Sequence, residues 1–371
     1  MRYVWLTRIL VALVGAGTLA AEQAPPPIEL KTLTYAVRDG QELVLDLYTP
    51  ATPPGTRLPV IVFLHGGGWA GGTRTTGPDF RRFFAGDGFA MVSIEYRLTP
   101  AITFPANVED VKTAVRWLRA NAGAHRLDSD RICLWGTSAG GHLASVAGLA
   151  PKGTFEGTDN MDQSSAVRCV LDAYGPTDFL VMDAQTEQER PTLQAQPPAL
   201  LAAPPMVGGV VVDGRAAGAA AAPGGGRGAG RGGPGRGGVP QPHDAATSPE
   251  SRLVGAPVQT VPERVRAANP ITYVRADAPP FLIMHGLADN SVPHGQSVLL
   301  YDALKNAGTA VTLRLIDGLP HTFFNRSDLD MLAGPFRMTV REHPRGGPER
   351  MAEDRAGVFE VARDFFRTHL R

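Results

Sequence analysis

The stretch "LWGTSAGGHLA" (134–144) decides the fold assignment, because it joins an apolar run to a helix-like segment through one serine and several glycines. Within it, Gly136 to Gly140 match the pattern G-x-S-x-G, with Ser138 at the centre. This pattern, after a strand and at the start of a helix, is typical of a strained turn that presents a serine hydroxyl above a sheet. We therefore predict that Ser138 is a nucleophile. The alternative is a polar residue in a tight turn.

The rest of the chain supplies further apolar runs that predict buried strands. In these runs both the odd and the even positions are apolar, as in strands that are covered on both faces of a parallel sheet. They are 59–64, 89–94, 131–135, 167–174 and 281–285. Helical patterns fall between or after them, at 108–118, 142–150, 296–306 and 355–370. The alternation predicts an α/β fold with a mostly parallel central sheet and helices on both faces. An antiparallel hairpin around Asp39 and Gly40 is expected at the N-terminal side.

The sequence also supplies partners for the serine. A serine hydroxyl needs a base to take its proton, and that base needs an acid to orient it. Asp289 follows the run 281–285 in a glycine-containing loop, and His321 lies in the loop after the next apolar run, 311–316. We predict that these two residues complete a catalytic triad with Ser138, in a chain order known for such triads.

Each partner has a rival in the sequence. Asp317 is closer to His321 along the chain, and Asp289 could instead cap the helix that follows it. His142 lies near Ser138 but in the helix after the turn, while His294 lies inside the loop of the predicted acid. Position after a strand favours Asp289 and His321.

A glycine-rich loop follows the apolar run 59–64. The stretch "FLHGGGWAGG" (63–72) exposes consecutive backbone N–H groups with no Cβ atom to block approach. Gly67 and Gly68, with the N–H of Ala139, are predicted to form an oxyanion hole for the charge that develops on an attacked carbonyl. A phosphate-binding loop is the alternative, but the phosphate-loop and dinucleotide spacings are absent, and we expect no cofactor.

Composition excludes several other classes. With 36 basic and 36 acidic residues the formal net charge is zero, so we expect no nucleic-acid partner. No His or Cys pair has ligand spacing, so no metal is expected. The two cysteines, Cys133 and Cys169, lie in apolar runs and are expected to be buried free thiols. The oligomeric state is left open.

The first residues have the pattern of a secretory signal peptide. Basic residues precede an apolar run from Ile9 to Val14, and small residues follow through Ala21. The run is shorter than the roughly 20 apolar residues that a spanning helix needs, so no stable membrane span is expected. We expect residues 1–21 to be removed and the protein to be exported, to the periplasm or the medium.

One region interrupts the pattern of strands and helices. From about 181 to 260 the chain is rich in Ala, Pro and Gly, with "GGGRGAGRGGPGRGG" (224–238) at its centre. Such a composition buries too little apolar surface to fold on its own. We expect an insertion that is disordered over about 215–245 and acts as a flexible linker. An RNA-binding Arg-Gly tract is the alternative, but aromatic residues are absent from it.

These motifs together resemble the α/β-hydrolase superfamily, and within it the esterase branch of hormone-sensitive-lipase-like enzymes and bacterial feruloyl or acetylxylan esterases. The resemblance rests on "HGGGW" (65–69), "EYRL" (95–98), "FPANVEDVKTAVRWL" (104–118), "GTSAGGHLA" (136–144), "HGLADNSVP" (285–293) and "PHTF" (320–323). It implies an α/β-hydrolase fold in a single catalytic domain, 28–371. It also implies the site residues that the motifs indicate: Ser138, Asp289, His321, Gly67, Gly68 and Ala139. In this fold, material after the sixth strand often forms a lid, so residues 181–200 and 250–270 are expected to flank the pocket.

The predicted function is that of a cofactor-independent serine esterase. We expect it to cleave short-chain or polysaccharide-linked acyl esters through an acyl-serine intermediate; the substrate class comes from the resemblance alone. One alternative is a serine peptidase of the prolyl-oligopeptidase type, although Ala139 stands where those enzymes usually carry a bulky aromatic residue. A non-catalytic binding protein on the same scaffold is the other alternative.

Overall fold

The structure is a computed structural model that describes residues 27–202, 206–207, 210–211 and 241–371. The strands are β1 (Ile28–Arg38), β2 (Gln41–Pro50), β3 (Leu58–Leu64), β4 (Ala90–Ile94), β5 (Leu127–Thr137), β6 (Val170–Ala173), β7 (Met206–Val207), β8 (Val210–Val211), β9 (Phe281–Gly286), β10 (Val311–Ile316), β11 (Phe336–His343) and β12 (Arg350–Ala356). The α-helices are α1 (Ala106–Ala120), α2 (Ala122–His125), α3 (Ala139–Leu149), α4 (Met182–Glu189), α5 (Pro198–Ala202), α6 (Pro249–Val254), α7 (Pro262–Ala268), α8 (Gly295–Asn306), α9 (Leu329–Ala333) and α10 (Val358–Leu370).

Ten of these strands form one mixed sheet within the described residues, in the order β1-β2-β4-β3-β5-β6-β9-β10-β11-β12. The central strands from β4 to β10 pair in parallel. The pair β1–β2 is antiparallel at one edge, and its turn lies at Asp39 and Gly40 as predicted. The expected fold class, a mostly parallel sheet that begins with an antiparallel pair, is therefore confirmed.

The alternating residues of β3 show how the sheet separates two hydrophobic cores. Val60 and Val62 pack in a cluster that includes buried residues of α1, α3 and α8. Ile61 and Phe63 pack in a second cluster, on the other face, that includes α10. Because both faces of the strand are covered, its run carries no polar residue, which is the pattern that predicted a buried strand.

The antiparallel hairpin β11–β12 at the far edge of the sheet was not predicted. Its last strand, "RMAEDRA" (350–356), is largely exposed and rich in charge, as is common for an edge strand. Such a strand lacks the apolar alternation that would reveal it. As a result, α10 begins at Val358 rather than at the predicted residue 355.

The two cysteines form a disulfide, so the prediction of free thiols was wrong. Cys133 lies in β5 and Cys169 immediately precedes β6, and these strands are parallel neighbours in the sheet. Their register places the two Cα atoms 4.8 Å apart, within the range for a disulfide. The sequence could not show this, because it does not reveal which runs are adjacent or in which register.

Between β6 and β9 the chain leaves the sheet, and we call the described residues of 175–280 the cap. The cap contains α4 to α7 and the short hairpin β7–β8. The predicted disorder over about 215–245 falls mainly on residues outside the described ranges, as does the whole predicted signal peptide. In the described part of the chain, no helix is both long enough and apolar enough to cross a membrane.

Candidate active site

Ser138 lies at the turn from β5 into α3 and has a backbone φ of 55°. A residue with a side chain rarely adopts this conformation, and such strain is concentrated at functional sites. The turn depends on two glycines. A Cβ atom at Gly136 would collide with the carbonyl of Gly140, and a Cβ atom at Gly140 would collide with the carbonyl of Leu64. The pattern G-x-S-x-G therefore follows from how closely α3 approaches β5 and β3.

The structure brings the three predicted triad residues together. His321 Nε2 lies 2.8 Å from Ser138 Oγ, and His321 Nδ1 lies 2.6 Å from Asp289 Oδ2. Both distances suit a nucleophile, its base and the acid that orients the base. The residues follow the carboxyl ends of β5, β9 and β10, which meet at one edge of a parallel sheet.

Asp289 is almost completely buried, and it is surrounded by hydrogen-bond donors. Its Oδ1 accepts the backbone N–H groups of Ser291 at 2.8 Å and Val292 at 3.0 Å. Burial alone raises the pKa of this carboxyl, but the charge and hydrogen bonds of His321 and His285 outweigh burial and hold the pKa below its usual range. Asp289 is therefore ionised and can stabilise a protonated His321.

The rival residues have other partners. Asp317 lies near Arg337 and Gln194, and His294 Nδ1 lies 2.7 Å from Glu189. His142 accepts the Trp69 Nε1–H at Nδ1 and donates from Nε2 to the carbonyl of Ala268.

The partners of His142 fix its protonation state. Because an indole can only donate, His142 Nδ1 carries no proton, and the ring is neutral. Burial lowers the pKa of His142 to about 4, which favours the same neutral form. With both ring nitrogens occupied, His142 is not free to act on Ser138.

The predicted oxyanion loop lies beside the serine. Gly68 and Ala139 line the same cavity as Ser138 and His321, whereas Gly67 is not among the described residues that line it. Across the described ranges, the backbone N–H groups of Gly67, Gly68 and Ala139 donate to no protein acceptor. Gly68 and Ala139 thus border the cavity beside Ser138 with N–H groups that bind no described protein acceptor, and the oxyanion hole stays a prediction.

Buried polar contacts hold this loop in place. Tyr96 donates from its hydroxyl to the carbonyl of His65 at 2.7 Å. The Arg97 side chain forms paired hydrogen bonds with Asp110, at 2.8 to 3.1 Å. Tyr96 thus supports the loop at His65, Arg97 and Asp110 join the segment after β4 to α1, and none of the three residues lines the cavity.

The cavity above Ser138 has a volume of about 490 Å³. Besides the residues named above, its wall contains many polar side chains that the sequence analysis did not single out. They include Asp183, Thr186, Glu187, Arg190, Gln241, His243, Ser248, Glu250, Asn290 and Ser291. Most of them lie in the cap, and their spacing along the chain forms no recognisable motif. Of the two segments expected to flank the pocket, 181–200 supplies several of these residues and 250–270 supplies Glu250.

His243 ties the cap to the loop of the acid. Its Nδ1 lies 2.8 Å from Asp183 Oδ1 in α4, and its Nε2 lies 3.2 Å from the carbonyl of Ser291. Asp183 also accepts the backbone N–H groups of His243 and Asp244. The part of the cap that begins at residue 241 is therefore fixed close to Asp289.

Glu250, at the start of α6, is an unusual member of the wall. Its side chain is buried, its Oε2 has no hydrogen-bond partner in the described structure, and burial raises the pKa of its carboxyl. A buried carboxyl oxygen without a hydrogen-bond partner is costly unless a ligand or a proton compensates it. Among the described residues, no cluster of histidine, cysteine or acidic side chains is arranged to hold a metal ion.

Comparison with known proteins places this arrangement in a family. The BD-FAE family model matches residues 45–207 and 237–304, which together make up more than half of the chain. Esterase LipQ of Mycobacterium tuberculosis (strain ATCC 25618 / H37Rv) is 29% identical over 278 residues, covering 73% of this chain and 52% of LipQ. The chain spans about half the length of the curated relatives that it matches.

Solved structures agree with this placement. A truncated carbohydrate esterase from gut microbiota superposes with a TM-score of 0.61 at 24% identity, covering 91% of this chain and 96% of that one, which shows the shared fold. The propionate-bound thermophilic esterase Est2 of Thermogutta terrifontis superposes with a TM-score of 0.54 at 26% identity, covering 82% and 89%. The chain belongs to the BD-FAE family, a family of α/β-hydrolase esterases.

Proposed function

We propose that the protein is a carboxylic-ester hydrolase in which Ser138 is the nucleophile and an acyl-serine intermediate forms. The observation that carries this proposal is the unbroken hydrogen-bond chain from Ser138 Oγ through His321 to Asp289. Membership of an esterase family supports the same reaction class.

In the first half-reaction, His321 Nε2 takes the proton of Ser138 as Oγ attacks the ester carbonyl carbon. The carbonyl π electrons move to oxygen, and the N–H groups of Gly68 and Ala139 stabilise the resulting oxyanion. The intermediate collapses, the carbon–oxygen bond to the alcohol breaks, and the alcohol takes the proton from His321. Asp289 keeps its charge throughout and orients the imidazole.

In the second half-reaction, a water molecule replaces the alcohol. His321 takes one proton from it, the hydroxide attacks the acyl carbonyl, and the bond to Ser138 Oγ breaks. The proton returns to Ser138, which releases a carboxylic acid and restores the free enzyme.

We further propose short acyl groups, including those that esterify polysaccharides, as substrates. The cavity volume of about 490 Å³ suits a small acyl group and part of an alcohol. Its wall carries basic, acidic and neutral hydrogen-bonding side chains, such as Arg190, Glu250 and Asn290, which suits an alcohol with several hydroxyl groups.

Export remains part of the proposal. The disulfide between Cys133 and Cys169 supports it, because disulfides persist in oxidising compartments such as the periplasm and the medium. The measurement that tests it is the N-terminal sequence of the protein recovered from the periplasm and medium of a producing cell, and recovery of only uncleaved, intracellular protein would contradict export.

The test of function compares the wild type with Ser138→Ala on p-nitrophenyl acetate, butyrate and octanoate. A prolyl-peptide anilide serves as the amide control. We expect ester turnover that falls with acyl length and disappears in Ser138→Ala, without anilide cleavage. Cleavage of the anilide would favour a peptidase instead, and turnover unchanged by the substitution would remove Ser138 from the mechanism.

A further inference from the structure

A second histidine contacts the acid of the triad. His285 lies in β9 and is completely buried. Its Nε2 is 3.1 Å from Asp289 Oδ2, the same oxygen that lies 2.6 Å from His321 Nδ1. Asp289 Oδ2 is therefore shared between two imidazole rings, one that faces the cavity and one in the core.

The protonation of His285 follows from its other partners. Its Nε2 also lies 3.0 Å from the carbonyl oxygen of Val292, which can only accept a hydrogen bond. Nε2 must therefore carry the proton; its N–H donates to Val292 O, and Asp289 Oδ2 lies 3.1 Å from the same nitrogen. Its Nδ1 lies 2.7 Å from the buried hydroxyl of Ser297 in α8, which can donate to it.

We propose that His285 is a positioning residue for the reaction, acting through Asp289. Its Nε2–H fixes the orientation of the Asp289 carboxylate and takes up part of the hydrogen-bonding capacity of Oδ2. The inference rests on the proposed function, since it assigns a role only if His321 is the base.

The geometry explains why such a contact matters. The Oδ1 atom is held by two backbone N–H groups, and the Oδ2 atom is held by two imidazoles, so the carboxylate cannot rotate. A carboxylate that also accepts from His285 stabilises a protonated His321 less strongly than one that accepts from His321 alone. His285 thus influences both the position of the base and the pH at which it becomes available.

Other polar groups lie around this pair of rings. The buried Asp172 faces His285 from β6 and holds Ser145 and the Gly175 N–H, at 2.6 and 2.9 Å. The Tyr174 ring stacks edgewise on His321 with its centroid 4.8 Å away, and it also contacts His285. Neither group donates a described hydrogen bond to Asp289, and His285 is the buried core side chain whose nitrogen lies 3.1 Å from Asp289 Oδ2.

The experiment compares the pH profiles of kcat/KM for p-nitrophenyl acetate in the wild type, His285→Leu and His285→Gln. His285→Leu removes the Nε2–H donor. We therefore expect the acid limb, which is the rise of kcat/KM with pH at low pH, to move to higher pH by about half a unit. We expect kcat to fall about 10- to 100-fold with little change in KM, because His285 does not line the cavity. In His285→Gln the amide N–H replaces Nε2–H, and the acid limb is expected to return to its wild-type position.

A second variant keeps the proposal open to refutation if His285→Leu does not fold. His285→Asn retains an amide near Ser297, but its shorter side chain cannot reach Asp289, so it should shift the limb as Leu does. An acid limb that does not move in a folded His285→Leu or His285→Asn variant would overturn the proposal. An acid limb that moves as far in His285→Gln as in His285→Leu would also overturn it. Ser138→Ala, measured alongside, tells the two ideas apart: if it retains turnover, the proposed function itself fails.

Discussion

The sheet edge and the cap contribute to the same cavity in different ways. Ser138, Asp289 and His321 follow the ends of parallel strands and are joined by short hydrogen bonds. The cap wall consists of short helices and turns, held by scattered polar contacts such as that between Asp183 and His243. Under the proposed function, the difference assigns the chemistry to the rigid sheet edge and the selection of substrate to the cap.

The largest effect should come from the acid at the sheet edge. Asp289→Asn should reduce kcat by about 10⁴-fold, because an amide that donates to His321 favours the wrong tautomer. The matched control is Asp317→Asn, which alters the rival carboxylate beside Arg337 and should leave ester turnover nearly unchanged. Steady-state rates on p-nitrophenyl acetate measure both, and a larger loss in Asp317→Asn would reverse the assignment of the acid.

The next effect concerns the packing of the nucleophile turn. Gly140→Ala should lower the free energy of unfolding by about 3 kcal/mol, because the new methyl group meets the backbone carbonyl of Leu64. Gly123→Ala places the same methyl group in open space on the helix α2 and should be neutral or slightly stabilising. Urea unfolding of both variants measures this. Equal stability of the two would mean that α3 is not packed as closely as described.

The contact between α3 and the cap should make the stability of the protein depend on pH. His142 links α3 to the carbonyl of Ala268 in the cap, and burial lowers its pKa from 6.5 to about 4. Between about pH 6.5 and pH 4, His142 therefore binds a proton in the unfolded chain but not in the folded protein. The free energy of unfolding falls as the pH falls through this range.

His65 adds to this loss, because burial also lowers its pKa to about 4, whereas Asp172 opposes it, because burial raises its pKa to about 6. His142→Gln keeps a donor to Ala268 but cannot titrate, so it should lose less stability over this range, by on the order of 3 kcal/mol. Urea unfolding at pH 7 and pH 4.5 checks the difference. An identical pH dependence in the two proteins would show that His142 is not the titrating group.

The smallest effect is expected in the cap wall. Glu250→Gln should raise KM by about tenfold or less for acetyl esters of a sugar, while KM for ethyl acetate stays the same. Glu263→Gln, a matched change at an exposed cap position, should alter neither KM. A large fall in kcat for Glu250→Gln with both esters would contradict the division of labour between the sheet edge and the cap.

The sequence predicted the parts that depend on local pattern. The G-x-S-x-G turn, the strand-then-loop positions of Asp289 and His321, and the glycine-rich loop follow rules that act over a few residues. The structure places His321 within hydrogen-bond distance of both Ser138 and Asp289, although the sequence alone could not show those distances.

The features that were missed depend on which segments become neighbours. The disulfide needs the register of β5 on β6, and the role inferred for His285 needs its distance from Asp289. The charged edge strand β12 has no apolar alternation to reveal it. The cap wall is assembled from residues as distant as Asp183 and Glu250, whose meeting no local pattern encodes.

The most direct test of the central claim is covalent labelling of the nucleophile. The wild type and Ser138→Ala would be incubated with p-nitrophenyl diethyl phosphate, and the intact mass and the modified peptide would be read by mass spectrometry. The account predicts one diethylphosphoryl group on Ser138 in the wild type, with none in the variant. Modification of another residue, or none in an enzyme that still turns over acetate esters, would contradict it.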